Sequence, residues 1–238
     1  MTLVYDAYTA VGGRKNNEDA FGASQKGASL LFVVADGLGG HDSGEVASQM
    51  AVNEIKGLFD ASPNSFDPIV AIQAANTKIL QEQISTGLKM KTTVVLAYVF
   101  GDQVVFAHVG DSRAYAFKDN KIVYQSIDHS AAQMAVSVGE ITTTQIREHE
   151  DRNILTRALG VSENIKIDVV SIPHNQVDAM ILCSDGFWEY VYEKDMLEIL
   201  SSSKHPDVWL YRMREILCSN APYNNDNNTA IAVIKRGK

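Results

Sequence analysis

The stretch Leu30–His41, LLFVVADGLGGH, constrains this chain more than any other. An apolar run from Leu30 to Ala35 ends on Asp36, followed by Gly37, Gly39 and Gly40. A short apolar run bounded by turn residues predicts a strand buried on both faces. A carboxylate at the end of such a strand is poor core material, because an unpaired buried charge is very costly. It needs a partner, and a cation is the simplest one. The glycines let the backbone approach whatever Asp36 binds, and Gly37 could add its carbonyl. Later segments end or turn in the same way on Asp111, Asp185 and Asp226. The expectation is that these carboxylates converge on metal ions.

The rest of the chain predicts a mixed fold. Residues 2–10 read as a first strand, broken by Gly12 and Gly13. RKNNEDAF follows, with Arg14, Asn17, Glu18 and Asp19, and by composition alone this is a solvated loop. Asp42 and Glu45 resemble a capping box, and Ala47, Ala51, Ile55 and Leu58 mark one helical face. Asp67-Pro68 opens a second helix, with a stripe of Ile69, Ile72, Ala75 and Ile79, running to about Ser85. Thr92–Phe100, the Gly101-Asp102 turn and Gln103–Val109 read as a hairpin. Ala114–Phe117, an Asp119-Asn120 turn and Ile122–Gln125 read as another. Successive hairpins argue for antiparallel sheet rather than repeated βαβ units. Asp128–Gly160 is polar and mixed, with Ser130 capping one short helix and a second at Thr142–Glu148. It is the best candidate for a mobile lid or substrate-facing insertion. Ile165–Ile172 and Ala179–Cys183 are strands, the latter running into Ser184-Asp185-Gly186. Helices at Glu193–Ser201 and Pro206–Cys218, an Asn-rich loop with Asp226, and a last strand at Thr229–Ile234 complete the chain. With no linker or repeat, one domain over residues 1–238 is the simplest account.

The formal net charge of −8 argues against nonspecific binding to nucleic acid or anionic membranes. Cys183 and Cys218 are read as reduced, largely buried thiols. With neither a signal peptide nor a run of about 20 apolar residues, the expected location is the cytoplasm.

Asp36, Gly37, Asp185 and Asp226 would supply the oxygen ligands that Mg²⁺ or Mn²⁺ prefer. Two such ions about 3.5–4 Å apart can activate a shared water for in-line attack on phosphorus. Arg14 is a candidate phosphate clamp, since arginine has the fork geometry for it. Taken singly, each Asp-Gly pair is more readily a turn than a ligand, and spacing alone does not show convergence.

The ordered series of motifs is far more specific. RKNNEDAF, VVADGLGGHDSGEVAS, TTVV, HVGDSRAY, DHS, VGEIT, ILTRALG, ILCSDGFWEYV and DNNTAIAV run along nearly the whole chain. Together they resemble the metal-dependent Ser/Thr protein phosphatase family, type 2C, in its compact bacterial form. The resemblance implies an α+β fold, a four-layer α-β-β-α sandwich of two antiparallel sheets flanked by helix pairs. It implies hydrolysis of phosphoserine and phosphothreonine in proteins by attack of a metal-bridging water. Two Mn²⁺ or Mg²⁺ ions would be bridged by Asp36, with Gly37, Asp185 and Asp226 as further ligands. Asp19 would hold metal-bound waters with Glu18 beside it, and Arg14 would clamp the phosphate. Asp111 would serve a third, weaker ion and share Asp185 with it. Residues 128–160 would form the family's flap. Phosphorylated proteins, among them a Ser/Thr kinase or its substrates, would be the partners. Many eukaryotic relatives carry histidine where this chain has Leu38; His41 is a candidate proton donor, weighed against a structural role for it or a metal-bound water as the donor. His129 is expected to anchor the flap. Two other readings remain: a catalytically silent binding module, which would be favoured by loss of a ligand, and an aspartyl-phosphate hydrolase with Asp36 as nucleophile. The latter usually needs a second aspartate where Leu38 stands.

Overall fold

The computed structural model describes residues 2–39 and 43–236. In chain order the strands are β1 (Thr2–Ala10), β2 (Asp19–Lys26), β3 (Ser29–Leu38), β4 (Lys91–Thr92), β5 (Val94–Phe100), β6 (Gln103–Val109), β7 (Arg113–Lys118), β8 (Lys121–Gln125), β9 (Asp168–Pro173), β10 (Ala179–Cys183) and β11 (Asn228–Arg236). The helices are α1 (Ser43–Ala61), α2 (Pro68–Thr86), α3 (Ala131–Ser137), α4 (Asp185–Trp188), α5 (Glu193–Ser202) and α6 (Pro206–Asn220), with a 3₁₀ turn at Thr143–Glu148. One sheet runs β1-β11-β10-β7-β8 and the other β2-β3-β5-β6-β9, with β4 against the end of β3. The pairings are antiparallel throughout. This is the α-β-β-α sandwich expected from the sequence.

The alternation of side chains along β3 shows why its run is apolar on both faces. Leu30, Phe32 and Val34 point between the sheets, where they meet Ala114, Met180, Leu182, Ile231 and Val233 of the opposite sheet. Leu31, Val33 and Ala35 point outward into the layer beneath α1 and α2, among Ala47, Ala51, Ile55, Phe59, Ile72 and Ile79. A third layer, beneath α5 and α6, holds Trp188, Met196, Trp209, Leu210 and Met213. Each large apolar side chain removed from water contributes about 1.5–3 kcal/mol, so three such layers hold β3 and β10 firmly.

Local signals match in several places. Asp67 caps α2, its side chain accepting from the amides of Ile69 and Val70 at 2.8 and 3.3 Å. Pro68 follows at the first turn, and Gly87 closes the helix at a φ of 73°. Asp119 and Asn120 have φ of 49° and 56°, the left-handed pair a tight β7–β8 hairpin requires. Ser130 caps α3 through Gln133 N–H.

Other details differ from expectation. Leu58 and Ile69 face solvent, and Phe59 takes the core position expected of Leu58, because the helical stripe drifts by one residue over three turns. β9 begins at Asp168 rather than Ile165, since pairing with β6 starts where Asp168 meets His108. Ile165 and Ile167 instead pack against the α1–α2 layer. Cys183 is buried as expected, but Cys218 is exposed on α6, one position past the buried Leu217. Asp42, expected to open α1, lies outside the described residues.

The segment expected to be a lid is pinned at both ends. At its start, Asp128 is buried and receives a bidentate pair of bonds from Arg113, at 2.8 and 2.7 Å. His129 and Gly110 exchange a backbone bond of 3.0 Å and a second from Gly110 N–H to His129 Nδ1 of 3.1 Å. At its end, Leu159 bridges Thr92, and Gly160 N–H donates to the buried Asn76 Oδ1 at 2.8 Å. His129 thus sits at the anchor point expected of it.

Removing one member of a buried pair leaves the other charge without compensation. Asp128→Ala is expected to lower the unfolding free energy by about 3–5 kcal/mol, measured as a fall in the urea midpoint.

Candidate active site

Strand ends from both sheets meet at one end of the sandwich. β3 delivers Asp36 and Gly37, β10 runs into α4 with Asp185, β2 begins at Asp19, and the turn before β11 carries Asp226. Asp19 and Asp36 are directly paired across β2 and β3. The backbones crowd closely. A Cβ on Gly37 would lie 2.1 Å from Gly44 O, and one on Gly186 would lie 2.1 Å from Asn227 O. Any larger residue would push these loops apart.

An open pocket of about 700 Å³ at this end is lined by Arg14, Lys15, Glu18, Asp36, Gly37, Leu38, Asp111, Asp185 and Asp226. Asn153 and Leu155 close it from the flap side. The structure therefore brings together Arg14, Glu18, Asp36, Gly37, Asp111, Asp185 and Asp226 around one space. Asp19 lies just behind, buried, accepting a 2.7 Å bond from Ser184 Oγ. His41 lies outside the described residues.

The backbone at Asp36 is fixed from three sides. Its N–H donates to Thr93 Oγ1 at 2.9 Å, and its carbonyl accepts from Thr93 N–H and Thr92 Oγ1, both at 2.8 Å. Asn227, buried, donates through its side chain to Val11 O and Asn16 O and accepts from Glu18 N–H at 2.8 Å. Trp188 Nε1–H holds Asp111 O at 2.9 Å, and Arg147 in the flap donates to Trp188 O at 3.0 Å. These supporting residues (Thr93, Ser184, Asn227, Trp188) were not singled out as functional from sequence. Each lies inside or next to a motif that was, and that adjacency was the available signal.

The electrostatics are those of a site short of positive charge. Burial, followed by repulsion from Asp185, pushes the Asp36 and Asp111 carboxyls well above the ordinary range. Burial raises Asp185 to about 7, helped by Glu189 and Asp226, and Asp19 to about 6 despite its bond from Ser184. Asp36 and Asp185 line the same pocket, and their charges repel. Asp19 Oδ1 and Asp185 Oδ1 are buried with no hydrogen-bond partner. Buried carboxylate oxygens without partners, raised pKa values and hard oxygen donors together fit divalent Mg²⁺ or Mn²⁺.

A second group, His108, His129 and Asp168, also brings three potential ligand atoms together. It suits an ion poorly. Burial keeps His129 neutral, with a pKa of about 4, but its ring nitrogens already have partners. Its one lone pair takes Gly110 N–H, and the Arg157 guanidinium lies 2.9 Å from its other nitrogen. That cluster fastens the flap instead.

A carboxyl whose pKa is raised on folding stabilises the folded state below its unfolded value, near 4, and loses that contribution as pH climbs through the raised value. Chelator-treated protein should therefore lose thermal stability between about pH 5 and pH 8, across the range set by Asp19 and Asp185. Millimolar Mn²⁺ should raise the melting temperature and flatten that slope, because cations replace protons. Thermal scans with and without chelator check both.

A profile for a family described as Protein phosphatase 2C matches residues 10–217. Serine/threonine phosphatase stp of Listeria welshimeri serovar 6b is 34% identical over 237 residues, covering 94% of this chain and 91% of the relative. The crystal structure of serine/threonine phosphatase Stp1 from Staphylococcus aureus superposes with a TM-score of 0.90 at 30% identity, covering 100% of this chain and 96% of that one. The catalytic domain of PstP, solved in complex with 2 manganese ions, gives a TM-score of 0.82 at 28% identity, covering 98% of this chain and 97% of that one. With the fold, the convergent carboxylates and these likenesses agreeing, the chain belongs to the protein phosphatase 2C family.

Proposed function

We infer that this protein is a metal-dependent serine/threonine phosphatase that removes phosphate from phosphoserine and phosphothreonine in other proteins. The observation that carries the inference is the meeting of Asp36, Asp111, Asp185 and Asp226 in one pocket beside Arg14, with a carboxylate oxygen of Asp185 buried and unpartnered. In this reading Asp36, the Gly37 carbonyl, Asp185 and Asp226 would hold two Mn²⁺ or Mg²⁺ ions, and Asp111 with Asp185 would hold a third. Asp19 and Glu18 support the water shell from behind. Bound there, such ions would supply a water made acidic enough to act as the nucleophile.

The protein's own residues do the remaining work. Thr92 and Thr93 keep Asp36 from turning away by bonding its backbone. Ser184 holds Asp19 in place. Arg14 supplies a planar cationic fork at the pocket rim, suited to two phosphate oxygens. Asn153 and Leu155 present the flap to the peptide around the phosphorylated residue. His41 stays a proposed proton donor to the leaving hydroxyl. We propose further that the whole chain acts as one catalytic domain in the cytoplasm and that a Ser/Thr kinase or its targets are among the substrates. Among the described residues no helix is long and apolar enough to cross a membrane.

A catalytically silent binding module is not supported, since every expected carboxylate ligand is present in the chain. An aspartyl-phosphate route lacks the second aspartate at Leu38.

Asp36→Asn is expected to reduce Mn²⁺-dependent phosphopeptide hydrolysis by well over the roughly 10–100-fold typical of an outer supporting group. Chelator should abolish wild-type turnover. Phosphate release that persists in chelator, or survives the substitution, would sink the assignment.

A further inference from the structure

Asp226 is held differently from the other carboxylates of the pocket. Asp19 and Asp185 each have a buried oxygen without a partner. Asp226 has both oxygens engaged: Arg14 Nε donates to Oδ1 at 2.9 Å and an Arg14 terminal nitrogen donates to Oδ2 at 2.6 Å. The amide of Asn227 adds a third bond, to Oδ1, at 2.8 Å. This is the parallel two-bond geometry in which arginine binds a carboxylate most selectively.

The two loops that carry the pair are joined without it. Gly13 N–H donates to Asn225 O at 2.9 Å, and Asn227 Nδ2 bridges Val11 O and Asn16 O. A Cβ on Gly12 would lie 2.2 Å from Asp226 O, so backbone presses on backbone. Parting Arg14 from Asp226 therefore needs only a side-chain swing. Both side chains are at the rim, 54% and 36% exposed, with open space beside them.

We propose that Arg14 is a latch on Asp226: in the metal-free protein its guanidinium occupies the carboxylate that a divalent cation needs, and cation binding there releases the fork to face phosphate. One carboxylate edge cannot serve a guanidinium and a divalent cation in the same place, so the two compete. The released arginine already lines the pocket where the phosphate must sit. Filling the Asp226 position and arming the phosphate clamp thereby become one event. By reciprocity, whatever draws Arg14 toward a phosphate also strengthens cation binding at Asp226.

The latch rests on the metal-site reading above, and its test separates the two. Mn²⁺ is titrated calorimetrically into chelator-stripped full-length protein: wild type, Arg14→Gln, Arg14→Lys and Asp226→Asn. Asp226→Asn identifies which binding event involves that carboxylate. Arg14→Gln should tighten that event by about two- to fivefold, the range expected for an exposed ion pair. Arg14→Lys is the decisive variant, because it keeps the charge but cannot span both oxygens. Measurably tighter binding in Arg14→Lys than in wild type supports the latch. Wild-type affinity in Arg14→Lys with tightening only in Arg14→Gln would mean simple charge repulsion and would overturn it. Unchanged or weaker binding in both would overturn it too. Wild-type protein that binds no Mn²⁺ would instead remove the metal site, and the latch with it.

Discussion

Carboxylates of like charge are forced together at the mouth of this sandwich, and most of the surrounding structure follows from that constraint. Asp19 and Asp36 are cross-strand partners, which ordinarily destabilises a sheet. Asp36 and Asp185 face one pocket and repel each other. Nothing in their own chemistry holds them there. The holding force is apolar: β3 and β10 are buried on both faces, and three packed layers place their ends wherever the sheets put them. Burial of Leu31, Phe32, Val33 and Val34 supplies the free energy that offsets the repulsion at Asp36.

A second set of forces fixes orientation. Neutral donors and acceptors, not opposite charges, grip the loops: Thr92 and Thr93 on the Asp36 backbone, Ser184 on Asp19, and Asn227 at three points of the β1–β2 loop. Hydrogen bonds of this kind steer a carboxylate without cancelling its charge, so its affinity for a cation survives. The buried ion pair of Arg113 and Asp128 lies farther off, at the base of the flap, where cancelling charge does no harm. Arg113 also stacks on Trp188, 3.5 Å from the ring centroid, and Trp188 holds Asp111. Flap, indole and the Asp111 loop therefore share one continuous contact.

Much of the fold was legible because the signals were local. The β3 run, the Asp67-Pro68 start of α2, the Asp119-Asn120 turn and the Ser130 cap each depend on neighbours in sequence. Errors fell where a distant partner decides. Leu58 and Phe59 are adjacent, and only the sheet beneath α1 determines which one is buried. β9 starts where β6 offers a partner, which Ile165 could not reveal. The site was legible as a set of residue types, and motif order supplied the assignment that spacing could not. The pairing of Arg14 with Asp226 was not legible, because those residues lie at opposite ends of the chain and meet only through the β1–β11 pairing. Nor did composition hint that Asn227 would bind the β1–β2 loop at three points.

The flap is tied down at Asp128–His129 and again at Leu159–Gly160, the second tie running through Asn76 to Ser162 as well. What lies between has fixed endpoints and carries none of the acidic groups that line the pocket. Within it, Ile146 is buried and Arg147 reaches Trp188, so only its exposed positions can vary without disturbing the Asp111 loop. A substitution on the exposed parts of this span would change the surface beside the pocket and leave the carboxylates in place.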